Sequence, residues 1–109
     1  MEAVPQRWSL SATYTVELKV SDAPDTRPWL GGQPIRPHTV RIGWDYPTED
    51  DPASPRASVY GHKVLEGGGL GMERRLSFYL LFEKWPEWLR QLVHDHAPDW
   101  PDLVKVPEA

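Results

Sequence analysis

Side chains alternate strictly from Thr13 to Val20, with Tyr14, Val16, Leu18 and Val20 on one side and Thr13, Thr15, Glu17 and Lys19 on the other. A period of two marks a half-buried β-strand. The alternation returns from His38 to Trp44, where Val40, Ile42 and Trp44 oppose Thr39 and Arg41, and this predicts a second strand. Arg56 to Leu65 predicts a third, of ambiguous facing. A fourth is predicted over Arg74 to Glu83, with Leu76, Phe78, Leu80 and Phe82 on one face and Ser77, Tyr79 and Leu81 on the other. Its second half is apolar on both sides, which predicts a central or doubly covered place in the sheet, because a flat apolar edge invites aggregation. Gly67, Gly68, Gly69 and Gly71 permit a tight reversal, so the third and fourth strands read as a hairpin.

The period changes after Glu83. Trp85, Trp88, Leu89, Leu92, Val93 and His96 recur at helical spacing, Pro86 suits a first helical position and Pro98 stops the run, so a helix is predicted over Pro86 to Ala97. Ser21 to Pro37 contains Pro24, Pro28, Gly31, Gly32, Pro34 and Pro37, and proline cannot donate to a sheet ladder; this segment reads as a long loop. Asp45 to Pro55 reads as a second proline-rich loop. Residues 1–10 and 99–109 read as flanking tails, with Trp100 and Leu103 docking on the body. The fold class expected is α+β, one domain over residues 1–109: a two-layer sandwich in which an antiparallel sheet of about four strands carries one C-terminal amphipathic helix on one face.

A chain of 109 residues has room for one core. Its formal charge of −4 disfavours general polyanion binding, and the absence of cysteine excludes disulfides, thiolate metal sites and cysteine nucleophiles. Cysteine usage fits a reducing compartment, and the cytoplasm is the expected location. Met1 to Leu10, with Glu2 and Pro5, does not read as a signal peptide, and the run Phe78 to Phe82 is too short to span a bilayer; no membrane association is expected.

The candidate chemistry is sparse. The glycine run precedes a strand rather than a helix, so it reads as a turn and not a phosphate cradle. His94 and His96 point about 200° apart on a helix and cannot share an ion. His38 and His62 lie on predicted strands and approach each other if the second and third strands pair. The acidic loop of Asp45, Glu49, Asp50 and Asp51 lacks the order of a calcium-binding loop and reads as solvated. The six serines have no locally evident histidine partner. No catalytic, cofactor-binding or metal-ligating set is therefore expected, no cofactor is assigned, and an enzyme is less favoured than a binding module.

Three functional readings follow. The first is a non-enzymatic protein-interaction module: the helix covers one sheet face, so Tyr79 and Leu81, with Tyr60 and Val64, form an apolar patch on the other, and Trp29 adds a loop contact. It predicts a homodimer or a protein partner. The second is a single-stranded nucleic-acid binder using Arg41, Tyr60, Arg75 and Tyr79 on one sheet face, against which stand the net charge and Glu17. The third is a small ligand-binding or catalytic domain with His38, His62 and the acidic loop around a cleft. The strand-rich chain finishing with Glu83-Lys84-Trp85-Pro86-Glu87-Trp88-Leu89-Arg90 resembles small uncharacterised proteins of actinobacterial phages and mobile elements, a likeness over the C-terminal third that carries no assigned activity.

Overall fold

The computed structural model describes residues 1–10, 13–28, 31–50 and 54–100. Five strands pair in chain order as an antiparallel meander: β1 (Glu2–Leu10), β2 (Thr13–Ser21), β3 (Ile35–Asp45), β4 (Pro55–Val64) and β5 (Leu70–Phe78). A 3-10 turn at Phe82–Lys84 leads to one helix, α1 (Glu87–Asp95). The α+β class, the antiparallel sheet and the C-terminal helix agree with the alternation and its change of period.

Alternation decides what is buried. Val16, Leu18 and Val20 of β2 align with Val40, Ile42 and Trp44 of β3, then with Ala57 and Val59 of β4 and Phe78 of β5, to give one continuous apolar face. Trp85, Leu89, Leu92 and Val93 close over it in a single core, with Trp88 packed at its margin. The Trp88 indole N–H donates to Thr26 Oγ1 at 3.1 Å, tying the helix to the β2–β3 connection. Leu89, 0 % exposed, is the centre of the helix stripe. Pro86 caps the helix from an extended conformation instead of starting it, and the helix ends where His96 turns away, so it is shorter at both ends than expected.

Three expectations need correction. Residues 1–10 are not a tail but supply edge strand β1, which makes five strands where four were expected. Glu2–Leu10 hides from a pattern reading because, as an outermost strand, it leaves all but Ala3 and Leu10 exposed. Pro5 sits in this strand next to a register shift between Pro5 and Arg7, as an edge position tolerates. The first long loop ends before Pro37: β3 already runs from Ile35, and a bulge between Pro37 and Thr39 absorbs the proline. The strand expected over Arg74 to Glu83 in fact spans Leu70–Phe78 and is the opposite edge, not a central strand. Leu80 and Leu81 take left-handed conformations, φ 61° and 45°, so the chain leaves the sheet before its second apolar half can pair. The hairpin around the glycine run is present as expected, with Gly67 and Gly68 at positive φ in the turn. Residues 101–109, Leu103 among them, and Trp29 lie outside the described residues.

Candidate functional site

Among the described residues the helix covers one sheet face and leaves the other bare. Its residues follow from register: Arg7 opposite Glu17, Glu17 opposite Arg41, Arg41 opposite Ser58, Tyr60 opposite Arg75, and His62 opposite Glu73. This face is polar. Glu17 accepts hydrogen bonds from Arg41 at 3.0 Å and Arg7 at 2.9 Å, and those two guanidinium groups hold its carboxyl below the usual carboxylate range. Arg41, Tyr60 and Arg75 therefore share a face as the nucleic-acid reading requires, but Glu17 offsets Arg41 and Tyr79 has left the sheet.

The apolar patch expected on this face is not assembled. Tyr60 lies on it beside Arg75, Val64 closes the end of β4, and Tyr79 and Leu81 belong to the turn after β5. The chain's turn there carries the apolar character instead: Tyr79, Leu80 and Leu81 are 65, 63 and 58 % exposed in succession. A left-handed leucine costs about 1–2 kcal/mol, and two in a row need support. The Trp85 indole N–H donates to the Leu80 carbonyl at 2.8 Å, and Lys84 N–H donates to the Leu81 carbonyl at 2.8 Å. The turn follows directly from the unpaired edge of β5, where Leu70 and Met72 are also exposed.

At the other end of β5 the structure brings His38 and His62 together, as pairing of their strands allows, with ring centroids 5.2 Å apart. Glu73, which sequence reasoning passed over, completes a group: one ligand atom from each of the three lies within 4.8 Å of the others, and His38 Nε2 is 3.7 Å from Glu73 Oε1. The bulge explains how. Pro37 pairs with Gly61 and Thr39 with Tyr60, which leaves His38 as the extra residue, turned onto the same face as Thr39. Gly61 makes the bulge feasible, because a Cβ there would lie 2.7 Å from the Arg36 carbonyl carbon and closer still to its oxygen. The second ring nitrogens are engaged: His38 Nδ1 is 2.8 Å from Thr39 Oγ1, and His62 Nδ1 is 3.3 Å from the Gly71 carbonyl oxygen.

The acidic loop does not join these histidines. Asp45 ends β3 seven residues beyond His38, roughly 23 Å along an extended strand, and is held there by Arg56 at 2.6 Å and the Thr13 hydroxyl at 3.1 Å. Asp51 lies outside the described residues. His94 lies apart from them, its Nδ1 3.6 Å from the carboxylate of its neighbour Asp95. Among the described residues no helix is long and apolar enough to cross a membrane. Comparison with family models, with curated proteins and with solved structures finds no match to this chain.

Proposed function

We propose that the chain is a protein-interaction module that associates with a second copy of itself through the free edge of β5. The observation that carries this reading is the sequence of that edge, Leu70-Gly-Met-Glu-Arg-Arg-Leu-Ser-Phe78, which is self-complementary about Arg74. Antiparallel pairing of two β5 strands centred there sets Glu73 opposite Arg75 of the second copy, twice by symmetry, on the bare face. Met72 comes beside Leu76 at each flank, beyond which the irregular step between Glu73 and Leu70 interrupts the ladder. Opposite charges and apolar pairs directly across two strands each contribute roughly 0.2–1 kcal/mol. Beyond the paired stretch, the exposed turn at Tyr79 of each copy lies toward the Leu70 end of the other, which gives it a neighbour. Arg74 meets itself on the two-fold axis, and that like-charge contact keeps the association weak. An interface of this kind belongs at the small end of the known range, below about 1,200 Å².

Sedimentation velocity across a concentration series tests the proposal. The parent chain should pass from monomer to dimer with rising concentration. Arg75→Glu should remain monomeric, since Glu73 then faces a second carboxylate, and so should Glu73→Arg for the converse reason. Mixing those two variants restores opposite charges at both positions and should recover a heterodimer. A parent chain that stays monomeric at millimolar concentration, or a mixture that does not recover association, refutes the pairing.

A further inference from the structure

We propose that His38, His62 and Glu73 form a binding site for a divalent transition metal of the zinc type. Two imidazoles and one carboxylate are a donor set suited to zinc, nickel or copper and poorly suited to calcium or magnesium, which seek oxygen. Three protein ligands leave a fourth position open, and the half-buried histidines and exposed Glu73 place it toward solvent.

Geometry supports the assignment in three independent ways. The donor atoms already lie within 4.8 Å of one another, whereas ligands about 2.0–2.1 Å from a tetrahedral zinc are separated by about 3.4 Å, so small side-chain rotations, chiefly of the exposed Glu73, close the difference. The Thr39 hydroxyl and the Gly71 carbonyl lie against Nδ1 of His38 and His62. Donation from His62 Nδ1 to a carbonyl, which can only accept, fixes the tautomer that leaves Nε2 with a free lone pair, the arrangement found behind metal-bound histidines. Lastly, the three ligands stand on three adjacent strands, β3, β4 and β5, so the sheet ladder fixes their spacing, and the bulge opposite Gly61 is what turns His38 toward the other two. A solitary His–Glu ion pair would need neither the second imidazole nor the bulge.

The site goes beyond self-association and is compatible with it. Glu73 approaches His38 through Oε1, and its other oxygen is available to Arg75 of a second copy. Histidine substitutions leave the charges of β5 untouched, so failure of one proposal is separable from failure of the other.

Isothermal titration of the chelator-treated chain with zinc sulfate should give one ion per chain, and zinc at a hundredfold excess over Kd should raise the melting temperature by about 10 °C. His38→Ala and His62→Ala should each weaken zinc binding at least tenfold, and Glu73→Gln should weaken it as well. His94→Ala, at the helix end, should leave it unchanged. Circular dichroism checks that each variant is folded. Cobalt(II) added to the parent chain gives a second readout: strong visible absorption from a low-coordinate site, lost in His62→Ala. No zinc binding at 100 µM, an affinity unchanged in His38→Ala and His62→Ala, or binding lost in His94→Ala would each overturn the proposal.

Discussion

Replacing Gly61 with alanine puts the bulge under direct test. The added Cβ would meet Arg36 backbone carbon at 2.7 Å and Pro37 Cα at 3.0 Å. These are main-chain atoms of a paired strand and cannot rotate aside as a side-chain tip could. Forcing extra atoms into a packed site costs roughly 1–3 kcal/mol. Against that, alanine removes backbone freedom from the unfolded chain, a gain of about 0.5–1 kcal/mol. The balance is a loss of about 1–2 kcal/mol, or a melting temperature about 5–10 °C lower for a domain of this size. Gly43→Ala is the matched control: it lies on the same pair of strands, but its Cβ would find Thr13 Cγ2 at 3.6 Å and Thr15 Oγ1 at 3.8 Å, ordinary contact distances. Urea unfolding followed by tryptophan fluorescence should show Gly61→Ala destabilised and Gly43→Ala unchanged or slightly improved. Because the bulge aims His38, Gly61→Ala should also weaken zinc binding without touching a ligand. Equal stabilities for the two variants would refute the inference that close backbone approach at Gly61 shapes the site.

Other changes have equally definite outcomes. Leu89→Ala, at the fully buried centre of the helix stripe, should cost about 2–5 kcal/mol in urea unfolding, the range for truncating a leucine in a packed core. Arg74→Thr should tighten self-association by removing the like-charge contact on the two-fold axis, seen as a lower dimer midpoint in sedimentation. Leu80→Gly should hold or raise monomer stability, by up to about 1 kcal/mol, because glycine takes φ 61° without strain. Glu17 has a folded pKa held below its ordinary value by Arg41 and then Arg7, so its contribution to stability is fully present above the ordinary carboxylate range and is lost as pH falls through the lower folded value. Glu17→Gln should therefore flatten acid unfolding curves in that window, by no more than about 1 kcal/mol for a surface network.

The parts of the fold that were legible are those in which burial and period coincide. Val16, Leu18 and Val20, then Val40, Ile42 and Trp44, alternate because one face of each strand is under the helix, and the pattern records that directly. Glu2–Leu10 was invisible because an exposed edge strand is selected by hydrogen bonding to β2 and not by burial. Tyr79 to Phe82 kept the alternation of a strand while its backbone had turned, since two left-handed leucines leave no mark on a hydrophobicity pattern. In the site, the approach of His38 to His62 could be read as a consequence of strand pairing. Glu73 needed register as well. The turn closes with the Leu65 N–H on the Gly69 carbonyl, and counting outward from it pairs Val64 with Leu70 and would set His62 opposite Met72; an irregular step between His62 and Val64 moves His62 onto Glu73, and the glycine run does not encode that step. The bulge that delivers His38 depends on a steric fit between Gly61 and Arg36, which no periodicity encodes.

If copies join through β5 as proposed, Pro5 and the irregular step beside it set the ceiling on how large an assembly can grow. A unit with two open edges behaves as a bifunctional monomer, and its joining proceeds by step growth into a fibre. Here β1 lacks one amide hydrogen and changes register mid-strand, so the proposed pairing draws on β5 and not on β1. Under that pairing, joining two units uses one β5 margin from each and leaves an end-capped ribbon, with a proline-bearing strand at each margin to terminate it.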